Sequence, residues 1–344
     1  MKKILFILPD ITNVGGVERV VTILSNELSE HLNVNISLAV KKSTKPPAFH
    51  LNSGVKILNL PHGSLNFLFS VKELINSFDW DMIVIHSMNK LTISLLSIGC
   101  RHHNMWSYEH VSYVNNPMYL RVLKKFLYKN LSGVIVITYC DKKNYTNLSH
   151  RVVKINNPSP LNICESGYDF TSKKIVSIGR LTEQKGFDFL LSAWSRIYKK
   201  YPDWSLDIWG EGVLKNTLIK SIKDLDLKNV SLCGISNQVD KVYRNSSFYV
   251  MSSRYEGLGL VLVEAASQGL PLISFDCPYG PGEIIDNGNN GFLVPCFDIE
   301  NLAECMEKLI NSQELRMRMS KESLVTAKKY SISNVIREWS EIIN

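Results

Sequence analysis

Two α/β domains, each a doubly wound parallel sheet with helices on both faces and with a cleft between them, are the architecture this sequence predicts. Three observations carry the expectation. Short apolar runs alternate with longer amphipathic stretches from end to end, the pattern of parallel sheets covered on both sides. A length of 344 residues suits two buried cores. The stretch 156–167 is crowded with Asn, Pro, Ser and Gly and reads as a linker. The boundary is therefore placed at 160, giving an N-terminal domain over 1–160 and a C-terminal domain over 161–344. The last helix, about 330–344, is positioned to pack back on the first domain.

The elements follow in order. The opening Met1-Lys-Lys-Ile-Leu-Phe-Ile-Leu8 has only five apolar residues before Pro9-Asp10 and no small-residue cleavage site, so 4–8 is a first buried strand and not a signal peptide. Further strands are expected at 34–40, 82–86 and 134–138, with helices at 17–31, 65–78, 90–98 and 118–130. In the second half the strands are 175–178, 205–209, 230–233, 248–251, 272–275 and 292–294, with helices between them. Asp79-Trp80-Asp81 has the Asp-x-Asp form of a metal-dependent transferase motif, but it directly precedes the strand at 82 and reads as a helix-to-strand turn.

Composition excludes several classes. A hydrophobic fraction of 45% rules out a disordered chain. No apolar run approaches the eighteen or so residues that span a bilayer. Seven scattered cysteines without a Cys-x-x-Cys argue against a disulfide framework or a zinc site and fit a reducing cytosol. Residues 1–170 hold 18 Lys and Arg against 11 Asp and Glu, and the remainder holds 21 against 21, so the whole excess of +7 lies in the first half. Without nucleic-acid motifs or interleaved aromatics, that excess points to an anionic surface and not to nucleic acid.

Candidate chemistry clusters in the second half. Glu256 lies in a Gly-containing loop, and Glu264 lies eight residues on, inside the apolar run after Leu260. A fully helical path between them would rise about 12 Å, the scale of a nucleotide-sugar from sugar to ribose. Two carboxylates so spaced can accept hydroxyls at both ends of one ligand. The Leu258-Gly259-Leu260 backbone between them offers N–H groups to a diphosphate at a helix N-terminus. Either acid could equally be an ordinary solvated or dipole-paired residue. Upstream, Lys174-Ile-Val-Ser-Ile-Gly179-Arg180-x4-Lys185-Gly186 reads as strand, glycine turn and helix start. It puts two cations at a strand's carboxyl end, where a departing diphosphate gains charge. Gly210-Glu-Gly212 opens like a dinucleotide fingerprint, but Lys215 stands where the third glycine belongs. Glu256 and Glu264 are too far apart for either glycosidase geometry.

The pairing of Gly179-Arg180-x4-Lys185-Gly186 with Glu256-x7-Glu264 resembles glycosyltransferase family 4, retaining enzymes of the GT-B fold, and the likeness extends over nearly the whole chain. Asn13-Val-Gly15-Gly16-Val-Glu-Arg-Val resembles the family's glycine loop after the first strand. Gly280-Pro-Gly-Glu283-Ile-Ile-x5-Gly291-Phe-Leu-Val-Pro resembles the segment following the second glutamate. Ser107-Tyr-Glu-His110 resembles a Ser-Glu-His element of members that build bacterial surface polysaccharides (O-antigen and capsule among them), with Tyr108 intervening.

The resemblance implies transfer of a hexose or N-acetylhexosamine from a UDP-linked donor to a lipid-linked or glycan acceptor. It implies no metal and no cofactor, the cationic role falling to Arg180, Lys185 and helix N-termini. Glu256 would hold the donor sugar and Glu264 the ribose. Gly210 and Gly212 would flank the nucleotide, and Gly15 and Gly16 would let backbone approach the phosphates or the acceptor. His110 either is a satisfied structural residue or faces the donor sugar; His102 and His103 match nothing. The anionic partners would be a lipid pyrophosphate and the inner face of the cell membrane, placing the chain in the cytoplasm as a peripheral protein. Around 118–129, Arg121, Lys124, Lys125 and Lys129 fall on one side of a helix beside the stripe Leu120, Leu123 and Leu127. That helix is either packed with a solvated basic face or lies on anionic lipid. Two rivals stand beside the transferase: a nucleotide-sugar epimerase of the same architecture, detectable as epimerised sugar without acceptor, and a non-catalytic membrane-associated subunit. Retention of Arg180, Lys185, Glu256 and Glu264 together speaks against the latter.

Overall fold

A computed structural model of the chain describes residues 1–88, 90–164 and 169–344. The chain divides into two compact units, Met1–Pro160 with Ile332–Asn344, and Leu161–Ser331. Residues 165–167 of the expected linker lie outside the described residues.

The first unit is built on seven strands: β1 (Lys3–Ile7), β2 (Asn35–Lys41), β3 (Lys56–Leu60), β4 (Met82–Ser87), β5 (Met105–Glu109), β6 (Gly133–Val136) and β7 (Val152–Lys154). They lie in the order β3-β2-β1-β4-β5-β6-β7, every pairing parallel. The second unit has six: β8 (Lys174–Ile178), β9 (Ser205–Trp209), β10 (Val230–Gly234), β11 (Phe248–Met251), β12 (Leu272–Phe275) and β13 (Gly291–Val294). Their order is β10-β9-β8-β11-β12-β13, again parallel throughout.

Both sheets are doubly wound, as the alternation predicts. Central strands are buried on both faces and so read as unbroken apolar runs: every residue of β4 is buried, as is every residue of β11. Leu5, Ile7, Ile83, Ile85, Val134 and Val136 carry the first core, and Leu190, Trp194, Val250, Ile273, Leu302 and Met306 the second.

Three strands go beyond the sequence-based expectation. β3 and β7 are edge strands with half-exposed residues, too short or too polar to stand out. β5 is central and fully buried, yet it carries Ser107 and Glu109 inward, and two polar residues in a five-residue strand hide the apolar signal.

The helix Ile332–Ile343 belongs to the first unit. Trp339 packs against Phe6 and Tyr108, with ring centroids 5.8 Å apart in each case. The Glu338 carboxylate accepts the Asn156 backbone N–H at 2.8 Å and its side-chain amide at 3.2 Å.

In each sheet the strand order reverses once, between β1 and β4 and between β8 and β11. Open α/β sheets bind ligands outside the carboxyl ends of strands at such a reversal. Asp79-Trp80-Asp81 sits at the opposite, amino end of β4, where Asp81 accepts the Lys3 N–H at 2.6 Å and holds β1 and β4 together.

Candidate active site

In the second unit, the loops leaving β8 and β11 are tied together at the reversal. Gly179 and Arg180 follow β8, and the short turn Glu183–Lys185 then leads through Gly186 into the helix Phe187–Ile197. From the β11 side, Ser252 donates its hydroxyl to the Lys185 carbonyl (3.1 Å), and the Arg254 N–H reaches the Gln184 carbonyl (2.8 Å). The result is an ion pair across the reversal, with Lys185 Nζ 2.6 Å from Glu256 Oε1. The Lys185 and Glu256 side chains are 14% and 8% exposed. The Ser253 hydroxyl donates to the same oxygen at 2.6 Å. Among the described residues, Glu256 Oε2 has no protein partner, and the carboxylate is thus held by one oxygen with the other left as an acceptor. Arg180 is exposed, and among the described residues its guanidinium has no side-chain partner.

Glu264 is the fifth residue of the helix Leu260–Ser267 and is 5% exposed. Tyr243 donates its hydroxyl to Glu264 Oε2 at 3.0 Å. Tyr249 belongs to the same neighbourhood: burial raises its phenol far above the usual range, and the charges of both Glu256 and Glu264 add to the shift. Its hydroxyl donates to the Ile178 carbonyl at the end of β8 (3.2 Å). Leu258 is buried, and Gly259 caps the helix in a left-handed conformation (φ +84°) that an L side chain rarely adopts. No side chain caps that helix; the Leu262 N–H turns back to the Gly259 carbonyl at 2.8 Å, and the Leu260 and Val261 N–H groups remain donors. Gly210 and Gly212 lace the loop after β9 to that after β8. Gly210 (φ +139°) packs so tightly that a Cβ would collide with the Gly179 carbonyl oxygen. Leu181 N–H donates to the Glu211 carbonyl at 2.9 Å, and Leu214 N–H returns to the Leu181 carbonyl at 3.0 Å.

In the first unit, β1 runs into a loop closed by Asp10, which accepts Thr12 N–H (2.7 Å), Thr12 Oγ1 (2.8 Å) and Asn13 Nδ2 (2.8 Å). Burial works against ionisation of Asp10, but the Thr12 bonds and nearby Lys45 and Lys41 hold its carboxyl below the usual range. Gly15 is the N-cap and Gly16 the first residue of the helix Gly16–His31, with no capping side chain.

His110 follows β5 directly, its N–H bonded to the Ser87 carbonyl at the end of β4 (3.1 Å). Its Nε2 lies 3.1 Å from His86 Nδ1, an unexpected partner from the end of β4. Burial lowers both imidazoles, His86 well below its ordinary value and His110 to about 4, where neighbouring Glu109 opposes the shift without reversing it.

The preceding residue, Glu109, points into a fully buried network. Its Oε2 pairs with Lys124 Nζ at 2.7 Å and accepts the Tyr145 hydroxyl at 2.9 Å. Its Oε1 accepts Tyr128 at 2.8 Å and the Ser107 hydroxyl. Desolvation pushes this carboxyl up, but Lys124 and the hydroxyls prevail and keep it below the usual range.

That network corrects the expected basic face. Lys124 is 0% exposed and reaches inward from the helix Met118–Leu127, because Glu109 offers it a partner in the core. Arg121 is half-buried, while Lys125 and Lys129 are exposed. Of the expected apolar stripe, Leu120 is buried, but Leu123 faces outward with Met118, Tyr119, Val122 and Phe126, the last 70% exposed. The outer side of this helix is thus mainly apolar and aromatic, flanked by lysines.

Sequence reasoning missed His86, Ser253, Tyr243 and Tyr249. Ser253 stands inside the very stretch that carries Glu256, and His86 ends a strand expected from its apolar run. A polar residue at the carboxyl end of a buried strand was the signal in both.

Residues 165–324 match the family model for glycosyl transferases group 1. An uncharacterized glycosyltransferase of Haemophilus influenzae is 30% identical over 357 aligned residues, covering 100% of both chains. The amylovoran biosynthesis glycosyltransferase AmsD of Erwinia amylovora is 31% identical over 359 aligned residues, again covering 100% of both. Among solved structures, a TarM mutant of S. aureus in complex with Fondaparinux, alpha-GlcNAc-glycerol and UDP aligns with a TM-score of 0.82 at 16% identity, covering 100% of each chain. That likeness gives the fold, GT-B, with its two Rossmann-like parallel sheets. The full-length matches to known glycosyltransferases settle the rest: this chain belongs to the glycosyl transferases of group 1.

Proposed function

We propose that the chain is a retaining, metal-independent transferase of family 4. It would move a hexose or N-acetylhexosamine from a UDP-sugar to a lipid-linked or polysaccharide acceptor in bacterial surface-glycan biosynthesis. The observation that carries the reading is the Lys185–Glu256 pair across the β8/β11 reversal, with Glu256 Oε2 unpartnered among the described residues and exposed Arg180 in the same loop after β8. The names of AmsD, a polysaccharide-building relative, and of the UDP-bound TarM structure support the substrate classes. In this reading Glu256 Oε2 accepts a donor-sugar hydroxyl, and Lys185, Arg180 and the N–H groups after Gly259 take the diphosphate. Glu264, steadied by Tyr243, accepts the ribose hydroxyls. The second unit holds the nucleotide-sugar. The first serves the acceptor through the Gly15–Gly16 loop, with His110 as its candidate substrate-facing residue.

The division of roles is testable by calorimetry. Glu264→Ala should weaken free UDP about tenfold or more, the loss of one charged hydrogen bond. Glu256→Ala should leave UDP binding intact and weaken only the intact donor. Equal effects of both variants on both ligands would undo the assignment. The donor itself is found by thermal shift over a set of nucleotide-sugars, because a ligand at 100 times its Kd stabilises by about 2.7 kcal/mol.

We also place the first unit at the anionic inner face of the membrane, in the cytoplasm. Among the described residues no helix is long and apolar enough to cross a bilayer. Support comes from the outer side of Met118–Leu127, where Tyr119, Val122, Leu123 and Phe126 are exposed, with exposed Lys125 and Lys129 on one flank. Replacing Val122, Leu123 and Phe126 with Ser, with Lys125→Gln and Lys129→Gln, should abolish co-sedimentation with vesicles containing anionic lipid. Turnover of a short soluble acceptor should stay within about twofold, since surface changes of this kind are close to neutral for the fold. Vesicle binding that is absent in the parent, or unchanged in the variant, refutes the placement.

A further inference from the structure

The two histidines at the ends of β4 and β5 share a single hydrogen bond, and each keeps a second ring nitrogen without a partner. Their rings are stacked, centroids 5.3 Å apart and 16° between planes, with His86 Nδ1 facing His110 Nε2 at 3.1 Å. His86 is 0% exposed and His110 8%. His86 Nε2 and His110 Nδ1 are both buried, and among the described residues neither has a partner. Unpaired buried polar atoms are uncommon in folded proteins, and each calls for a physical account.

Burial keeps both rings neutral at physiological pH, and each then carries one proton. The bond between them needs one proton in the gap, so the two tautomers are coupled. In one arrangement His86 donates from Nδ1, and the proton of His110 sits on Nδ1. In the other His110 donates from Nε2, and the proton of His86 sits on Nε2. The second arrangement leaves an N–H permanently orphaned on His86, 0% exposed in the core beside Phe6 (ring centroids 4.7 Å). The first leaves only a bare lone pair there, and it moves the unpaired N–H to His110. That residue lies past the last residue of β5, at the sheet end where ligands bind. An orphaned buried N–H is among the rarest features of native structures, and one at a ligand-binding end is satisfied when the ligand arrives.

We propose that His86 is a positioning residue: its Nδ1–H donates to His110 Nε2 and fixes His110 with its proton on Nδ1, so that His110 meets bound substrate as a hydrogen-bond donor to an oxygen and not as a base. The role toward substrate rests on the reading of His110 given above. The assignment of the protons does not. The ligand atom served is an acceptor, a hydroxyl or ring oxygen of the sugar.

Histidine-selective ¹⁵N labelling and long-range ¹H–¹⁵N correlation of the parent protein at pH 7.5 report the tautomer directly. The expected result is a protonated Nδ1 and an unprotonated Nε2 on His110. A protonated Nε2 there overturns the proposal without any variant being made. His86→Asn keeps an N–H near the place of Nδ1 and should preserve both the His110 tautomer and turnover. His86→Phe keeps a ring in the aromatic cluster but removes the donor. It should release the tautomer and lower kcat on the order of 10-fold or more, as loss of an outer-shell partner does at metal-bound histidines. Loss of turnover in His86→Phe with full recovery in His86→Asn supports positioning, and equal loss in both overturns it. If the tautomer is as stated but His110→Gln turns over like the parent, it is the substrate-facing reading of His110 that fails, and the positioning role falls with it.

Discussion

Lys185→Ala should lower kcat/KM on the order of 10²–10³-fold, the loss that follows removal of one preorganised donor from a site of developing charge. Two effects converge on this residue. The departing diphosphate loses a cation at the end of β8, and Glu256, 8% exposed, loses the charge that balances it. A buried carboxylate left without its ion-pair partner is uncompensated and loses the contact that orients it, so its hold on a sugar hydroxyl weakens. Lys185→Arg restores charge but not shape: a planar fork cannot occupy the place of a compact ammonium, and recovery should be partial. Arg180→Ala removes an exposed guanidinium that has no side-chain partner among the described residues, so the expected loss lies in kcat with folding untouched. Steady-state kinetics on whichever UDP-sugar stabilises the parent decide the matter. Near-normal turnover in both alanine variants would remove the diphosphate from this end of the sheet.

The largest effect on stability is expected in the first unit. Lys124→Ala should destabilise it by about 3–5 kcal/mol, because Glu109 is left charged, buried and without its ion-pair partner. Glu109→Ala should be at least as damaging. It strands Lys124 and also removes the acceptor of Tyr128, Tyr145 and Ser107. The double variant should fall well short of the sum of the two, the signature of groups that act together. Hydrogen exchange of amides in β5 and β6 measures this without interference from the second unit. Acid sharpens the test. Glu109 is held below its ordinary value, so its contribution is complete above the unfolded pKa, 4.5, and is lost as pH falls through the depressed folded value. In Lys124→Ala the same carboxyl moves upward, and the acid transition should begin at higher pH. Additive losses, or an unmoved acid limb, would show the network to be incidental.

The architecture was legible because a strand buried on both faces has no room for polar residues. β1, β4, β8, β11 and β12 announce themselves for that reason. β5 did not, since Glu109 is satisfied by Lys124, Tyr128 and Tyr145 from other elements, partners that no pattern along the strand reveals. The second-unit site was legible as types and spacing: a cation after β8, and one carboxylate before and one within a glycine-capped helix. What spacing could not show is that Lys185 and Glu256 bond to one another, since that depends on which strands lie side by side. The helix Met118–Leu127 went furthest astray. Its lysines were read by angle alone, whereas a buried carboxylate on another strand draws Lys124 inward and turns the apolar side chains out.

The course of the chain through the first unit bears on its biosynthesis. Trp339 fills the space beside Phe6 and Tyr108, yet it emerges from the ribosome only after all of Leu161–Ser331. At about 5–20 residues per second, that interval is roughly 10–30 s. Throughout it, the nascent first half holds its sheet with one apolar wall uncovered, while the second half has everything it needs to fold at once. Chaperones therefore have a defined surface to guard and a defined period in which to guard it. The part of the polypeptide made first is the part completed last.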